Sequence, residues 1–336
     1  MLDKKLDKKL DKKLDKKLDK ELDKKLEEKP DKKVDKKFEI KKVIVVIEPD
    51  SESQPALEKV LLLAKLMELE IELIACDYTQ YLVEGYYFDA ADVHRLREEY
   101  LQERTEALEA LADPLRDQGL SVVTQAFWAH PGYETIVSEV ERFGADLVVH
   151  HTRRHSALSR MFLTNDDWQL VRYCQVPLLL VKDKPWKEKP VVLTAVDPLH
   201  ARHKPGGLDH KLLGVAGDVA KFLGGDVFVM HSYNQIPLSG TYLKQAKKDH
   251  KEAFEELLAE FNIPAARQHL LEEAPEFALC QLERDLSADI IVMGAISRNI
   301  LSDVFIGNTT EKVLDYLESD VLVIKPDAFK PPGRRH

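Results

Sequence analysis

The sequence GAISRNILSDVFIGNTT, residues 294–310, lies between an apolar run and a helix-like segment. The apolar run, residues 289–293 (DIIVM), is typical of a buried strand, and residues 309–317 (TTEKVLDYL) predict a helix. Gly294 and Gly307 lie near the two ends of the loop. Glycine lets backbone N–H groups approach a phosphate, and a helix N-terminus adds unpaired donors and partial positive charge. The stretch therefore predicts an anion-binding loop between a strand and a helix.

The same residues also allow a structural interpretation. Gly307 would end the loop, Asn308 would cap the helix, and Glu311 three residues later would complete a capping box. Such a cap satisfies the unpaired N–H groups without a ligand. The sequence leaves both interpretations open.

Apolar strand patterns and amphipathic helix patterns alternate through the chain. The predicted strands are residues 43–47, 71–76, 121–128, 146–150, 178–181, 192–196, 226–232, 267–271, 289–293 and 321–324. The predicted helices are residues 55–69, 92–118, 132–143, 166–174, 209–223, 242–261, 276–286 and 309–317. Fully apolar strands that alternate with helices indicate right-handed βαβ units around a parallel sheet.

The pattern occurs twice. The motifs ADLVV and ADIIV begin corresponding strands, and thirty-six positions separate Asp146 from Lys182 as well as Asp289 from Lys325. Matched spacing of this kind indicates two copies of one fold. We therefore expect a charged extension, a first domain, a linker, a second domain and a tail, at residues 1–42, 43–181, 182–189, 190–326 and 327–336.

From residue 43 to residue 326 the sequence resembles the universal stress protein family, and in particular its tandem-domain members. The resemblance rests on the strand ends VIVVIEP and VLTAVDP, the strand and loop ADIIVMG, and the final strand VLVIKP. The family's nucleotide loop contains three glycines. Two residues separate the first glycine from the second, nine separate the second from the third, and Ser or Thr follows the third. Gly294 and Gly307 match it, whereas Ser297 and Asn308 replace the second glycine and the Ser or Thr. The resemblance implies an α/β fold of two doubly wound five-stranded parallel-sheet domains in tandem.

The resemblance also implies a site for ATP or another adenine nucleotide in the second domain, beyond the carboxyl ends of the strands. Asp197 would lie at the adenine end of the pocket, and the backbone at Ser232 would meet the base. The residues expected around the phosphates are Gly294, Ser297, Gly307, Asn308, Thr309 and Thr310.

The first domain lacks this motif. His151, Arg154 and Thr164 stand at its three glycine positions, and Glu48 replaces the aspartate that ends the first strand. Their side chains would fill the volume that phosphates need. We therefore expect at most one nucleotide per chain.

Histidines and arginines cluster at His150, His151, Arg153, Arg154 and His155. On a helix, His151 and His155 would share a face and could bind a metal, but no carboxylate or cysteine completes the set. The cluster could instead hold an anion, or it could be a solvated loop. The three interpretations remain open.

The charge of the chain is unevenly distributed. Residues 1–42 carry 18 Lys and 12 Asp or Glu, a net charge of +6, whereas the whole chain carries −10. The acidic remainder repels nucleic-acid backbones, so we expect no direct nucleic-acid binding. The extension repeats the unit LDKK, whose leucines drift around a helix instead of forming one stripe. We expect it to be solvated and partly helical, and a membrane-surface helix is the weaker alternative.

Several features favour a cytoplasmic location. No apolar run approaches the ~20 residues that span a bilayer, and the N-terminus has no apolar signal-peptide core. Cys76, Cys174 and Cys280 form no CxxC pair, which is typical of reduced thiols.

The sequence favours a non-catalytic stress-response protein that acts by ligand or partner binding, since it contains no GxSxG, HExxH or GxxxxGK[ST] motif. The alternative is an ATP-binding switch with slow hydrolysis confined to the second domain. A carrier of a cofactor, similar to electron-transfer flavoproteins, is a third hypothesis. The resemblance also implies an intramolecular pseudo-dimer through the apolar strands at residues 178–181 and 321–324, and a homodimer of the whole chain is a further possibility.

Overall fold

The structure, a computed structural model, describes residues 38–79, 90–152, 163–199, 207–234, 241–295, 313–327 and 329. Its strands are β1 (Lys42–Val46), β2 (Glu70–Asp77), β3 (Ser121–Trp128), β4 (Leu147–His151), β5 (Leu178–Val181), β6 (Val191–Ala195), β7 (Asp226–Ser232), β8 (Gln268–Leu271), β9 (Ile290–Gly294) and β10 (Asp320–Ile324). Its helices are α1 (Pro55–Ala64), α2 (Ala90–Asp117), α3 (Gly132–Phe143), α4 (Asn165–Tyr173), α5 (Leu208–Leu223), α6 (Thr241–Leu258) and α7 (Pro275–Leu286).

These strands form one sheet in the order β3-β2-β1-β4-β5-β10-β9-β6-β7-β8. Neighbouring strands are parallel except β5 and β10, which are antiparallel, with Leu180 opposite Val321 and Leu178 opposite Val323. The first half, β1 to β5, and the second half, β6 to β10, have the same internal order. The topology confirms the predicted tandem of doubly wound folds and the predicted pairing of the two final strands.

The inner strands are apolar along their length because helices cover both faces of the sheet. In β1, Val43 and Val45 face one core, whereas Ile44 and Val46 face the other. Helices α1, α2 and α5 contribute to the first core, and α3, α4 and α7 contribute to the second. Continuous apolar runs in the sequence therefore correspond to strands that are buried on both faces.

The segment between the halves is fastened to the starts of two strands. Asp320, which begins β10, accepts hydrogen bonds from the backbone N–H of Lys182 and from Nε1–H of Trp186, each at 2.7 Å. Asp289, which precedes β9, accepts one from the backbone N–H of Lys187 at 3.1 Å. Both carboxylates are buried. The predicted linker is thus held against the sheet by charge-assisted hydrogen bonds, which are stronger than neutral ones.

Two predicted helices end earlier than expected. Helix α1 ends at Ala64 instead of residue 69, because the N–H groups of Leu66 and Met67 both bond to the carbonyl of Leu63 in a tight turn. This turn lets β2 begin at Glu70. Helix α6 ends at Leu258 instead of residue 261, where another turn follows.

The predicted extension before residue 38, and the predicted start of the last helix at residue 309, lie outside the described residues. Within the described ranges, no helix is both long and apolar enough to cross a membrane.

Candidate functional site

Three of the predicted nucleotide-site residues lie at the carboxyl ends of adjacent strands. Asp197 follows β6, Ser232 ends β7 and Gly294 ends β9. Since β6 lies between β7 and β9, these positions share one edge of the sheet, the edge at which doubly wound folds bind ligands. The remaining predicted site residues lie outside the described ranges and stay predictions: Ser297, Gly307, Asn308, Thr309 and Thr310.

Asp209 anchors helix α5 to this edge. Its Oδ1 accepts a hydrogen bond from the backbone N–H of Asp197 at 3.2 Å. Asp209 lies in the first turn of α5, where a carboxylate also interacts favourably with the helix dipole. The bond fixes the backbone of Asp197, whose side chain is half-buried.

Gly294 lies where α5 packs against the end of β9. A Cβ at this position would be 2.8 Å from Cδ2 of Leu208, the first residue of α5. Because that atom is the end of a flexible side chain, an alanine would displace the leucine side chain and leave the backbone in place. The structure therefore supports a packing role for Gly294, and its approach to a phosphate remains a prediction.

A pair of histidines, the buried His231 and the half-buried His250, lies next to Ser232, and the sequence did not indicate it. In His231, Nδ1 is 3.1 Å from the carbonyl oxygen of Val196, and Nε2 is 2.8 Å from Nδ1 of His250 on α6. Because a carbonyl only accepts, Nδ1 of His231 carries a proton. Burial lowers the pKa of His231, and Tyr233 stacks on His250 with ring centroids 4.2 Å apart. The three rings form an aromatic cluster at the end of β7, in which His231 and Tyr233 are buried.

In the first half, His151 occupies the position that corresponds to Gly294. Its Nε2 is 2.9 Å from Oδ1 of Asp183, and its Nδ1 is 3.9 Å from Oε2 of Glu48. Burial opposes protonation of His151, but the nearby carboxylates of Glu48 and Asp183 outweigh this effect and raise the pKa. The two carboxylates therefore favour the protonated form of the imidazole.

Thr164, at the position that corresponds to Gly307, is the N-cap of α4. Its Oγ1 accepts from the backbone N–H of Asp167 at 3.1 Å, and Oδ2 of Asp167 accepts from the backbone N–H of Thr164 at 2.7 Å. Thr164 and Asp167 thus form a capping box. The sequence allowed the same arrangement for Asn308 and Glu311 in the second half. Oδ1 of Asp167 also lies 2.6 Å from Nε2 of His150. Burial raises the pKa of Asp167, but His150 and Thr164 outweigh this effect and lower it.

The predicted metal or anion cluster is only partly described. His150 and His151 each face a carboxylate, whereas Arg153, Arg154 and His155 lie outside the described residues. Among the side chains that the structure places, no group of three or more His, Cys, Asp or Glu could hold a metal ion.

Lys325 connects the second half to the first. It follows β10 as Lys182 follows β5, and it is 4% exposed. Its Nζ donates to the carbonyl oxygens of Val171 on α4 at 2.5 Å and of Ala295 after β9 at 3.1 Å. Burial lowers its pKa to about 8. The repeated spacing identified the two lysines as equivalent, but it gave no sign that they are buried.

The sequence pattern of the universal stress protein family matches residues 39–182 and 206–325. The matched segments make up more than half of the chain and contain all the strands described above, except for β6. The chain belongs to the universal stress protein family, as the sequence predicted.

Curated relatives and solved structures agree with this assignment. The chain is 27% identical to universal stress protein E of Escherichia coli K12 over 303 residues, which cover 87% of this chain and 96% of the relative. It is 28% identical to universal stress protein E of Photorhabdus laumondii over 304 residues, with 87% and 97% covered. A functionally unknown protein from Pseudomonas aeruginosa PAO1 has a similar structure, with a TM-score of 0.69, 28% identity, and 86% and 94% covered. A universal stress protein from Archaeoglobus fulgidus shares the fold, with a TM-score of 0.55, 18% identity, and 84% and 98% covered.

Proposed function

We propose that this chain is a non-catalytic stress-response protein whose tandem domains act by binding a ligand or a partner. The observation that carries the proposal is the contrast between His151 and Gly294 at corresponding strand ends. In the first half the imidazole of His151 fills the strand end and pairs with two carboxylates. In the second half the corresponding Gly294 has no side chain, and the flexible end of Leu208 lies 2.8 Å from the place of a Cβ, with Asp197 after the neighbouring strand. The contrast favours one ligand site per chain, in the second half.

An adenine nucleotide is the ligand that we propose for this site. Asp197, which is half-buried, and the stacked rings of His250 and Tyr233 lie near the edge where the base would lie. The phosphates would lie toward the loop at residues 294–310, where the glycine spacing and the helix N-terminus predicted from the sequence favour an anion. Membership of the universal stress protein family supports the same ligand class.

We further propose residues 43–181 and 190–326 as the two domains, with residues 182–189 as linker, residues 1–42 as an extension and residues 327–336 as a tail. The repeated strand order supports this division. We place the protein in the cytoplasm, as expected for a chain whose Cys76, Cys174 and Cys280 are free thiols. The acidic charge of the domains argues against direct nucleic-acid binding.

Calorimetric titration of the full chain with ATP tests the site. We expect one site per chain, lost in Gly307→Val, because a branched side chain would block the approach of the backbone to phosphate. The matched control is Thr164→Val at the corresponding position of the first half, which should bind ATP as the wild type does. Two sites per chain, or one site that survives Gly307→Val, would show that the pocket lies elsewhere.

Phosphate release by the same preparation tests the non-catalytic part of the proposal. We expect ATP to stay intact during prolonged incubation with the full chain. Phosphate release that is lost together with binding in Gly307→Val would instead identify a hydrolysing switch.

A further inference from the structure

We propose that a cavity between the two halves binds a linear aliphatic carboxylate, a medium-chain fatty acid. The cavity has a volume of about 300 Å³, at the lower end of the range for small-molecule sites. Its lining includes Leu147 and Ile290, the first residues of β4 and β9. It therefore lies toward the amino ends of the parallel strands, away from the edge where we propose the nucleotide, and the proposal does not depend on that one.

The floor of the cavity comes from four adjacent strands on both sides of the β5–β10 junction. Leu147, Leu179, Leu322 and Ile290 belong to β4, β5, β10 and β9. Each is at most 4% exposed. The sheet thus supplies an apolar surface that neither half could form by itself.

The walls are also apolar. They come from Leu63 of α1 and from Val219 and Phe222 of α5, together with Phe38 before β1 and Trp186 of the linker. Such a lining offers water few hydrogen-bond partners, so a hydrocarbon chain gains free energy by replacing it. At ~30 Å³ for each water-sized group, the volume accommodates roughly ten methylene groups.

One charged residue of the lining, Lys221, favours a carboxylate on this ligand. Asp218 and Lys221 are the charged residues that line the cavity. Oδ2 of Asp218 accepts a hydrogen bond from the backbone N–H of Phe38 at 2.9 Å, so the chain itself engages this carboxylate. Lys221 is exposed, and its ammonium makes no hydrogen bond or ion pair with a residue that the structure describes. A carboxylate at the solvent end of the chain would gain a charge-assisted hydrogen bond there.

The test is calorimetric titration of the purified full chain with decanoate and, separately, with decanol. We expect one decanoate per chain. Lys221→Met should weaken decanoate binding roughly 2- to 5-fold, because the ion pair that is lost is an exposed one, and should leave decanol binding unchanged. The matched control is Lys251→Met, which removes an exposed lysine of α6 and should bind decanoate as the wild type does.

A second variant tests the volume. Val219→Trp should fill the cavity and abolish binding of both probes, whereas Val137→Trp, a half-buried valine on α3 against the other core, should bind both. Thermal unfolding checks that each variant folds. If Val219→Trp does not fold, the proposal is decided by comparing decanoate binding with decanol binding in Lys221→Met. The proposal is overturned if the full chain does not bind decanoate. This holds also if the reason is that residues before Phe38 fill the cavity. Equal affinity of the wild type and Lys221→Met for decanoate would overturn it as well.

Discussion

The ammonium of Lys59 on α1 lies 3.3 Å from a carboxylate oxygen of Asp320, the first residue of β10, and the two side chains are 6% and 1% exposed. The pair joins a helix of the first half to the last strand of the second. Burial lowers the pKa of Lys59 and raises the pKa of Asp320, and their mutual attraction opposes both shifts. Nε1–H of Trp186 adds a hydrogen bond to the carboxylate. The two halves are thus joined by a buried polar contact as well as by the pairing of β5 with β10.

Lys59→Met should lower the free energy of unfolding by about 3–5 kcal/mol, because it leaves a buried carboxylate without its counter-ion. Urea unfolding of the full chain measures the loss. The control is Lys41→Met, which removes the exposed pair between Lys41 and Glu39 at 4.0 Å and should cost at most about 1 kcal/mol. Similar losses in both variants would contradict a coupling between the halves. The double variant Lys59→Met/Asp320→Asn should lose less than the sum of its single variants.

Gly225→Ala should be strongly destabilising. A Cβ at Gly225 would lie 2.0 Å from the backbone oxygen of Pro190, which is held by a hydrogen bond from the N–H of Asp226 at 3.0 Å. Because backbone must move to relieve the overlap, we expect a loss of at least about 2 kcal/mol in urea unfolding.

The matched control for Gly225→Ala is Gly214→Ala, at an exposed position of α5 where a Cβ would meet no atom within 4 Å. This variant should gain about 0.5–1 kcal/mol, since alanine has the higher helix propensity. A neutral Gly225→Ala variant would show that the start of β6 can move away from residue 225.

The contribution of His151 to stability should depend on pH. Its pKa is raised in the folded state above the ordinary value of 6.5, so the folded protein holds this proton more tightly than the unfolded chain. The stabilisation is therefore fully present below pH 6.5 and is lost as the pH rises through the folded pKa. The difference in unfolding free energy between the wild type and His151→Asn should be larger at about pH 6 than at about pH 9.

The control for this pH dependence is His94→Asn. His94 is 75% exposed and lies 3.4 Å from Glu98, so its removal should change stability little at either pH. If the effect of His151→Asn is the same at both pH values, the imidazole is not held in its protonated form by Glu48 and Asp183.

Thr164→Ala should cost about 1 kcal/mol, because the backbone N–H of Asp167 at the start of α4 loses its acceptor. Thr164→Ser retains the hydroxyl and should keep most of the stability. Thermal unfolding of the three proteins provides the comparison. Equal stabilities of the alanine and serine variants would mean that the hydroxyl does not cap the helix.

The sequence by itself determined the tandem α/β fold, because strands buried on both faces must be apolar throughout and helices must follow them at regular spacing. The repeated motif at Asp146 and Asp289 is an example. Oδ2 of Asp146 accepts from the backbone N–H groups of Lys41 and Lys42, each at 2.9 Å, and Asp289 accepts from the N–H of Val191 at 2.8 Å. Each aspartate thus connects the start of one strand to the start of the neighbouring strand. Because both halves need this contact, the aspartate appears at the same position of the repeated motif. The same pattern predicted which strand ends would meet at the edge where we propose the nucleotide.

Only the tertiary structure decided the contacts between distant residues. Lys325 bonds to the carbonyl of Val171, 154 positions away, and His231 meets His250 across two elements whose sequences have no shared period. Local sequence patterns indicate which face of a helix or strand is buried. They do not indicate which side chains of another helix or strand that face will contact. The antiparallel pairing of β5 with β10 decides this for the cavity, since it places Leu179 and Leu322 side by side and so brings together two apolar surfaces from opposite halves of the chain.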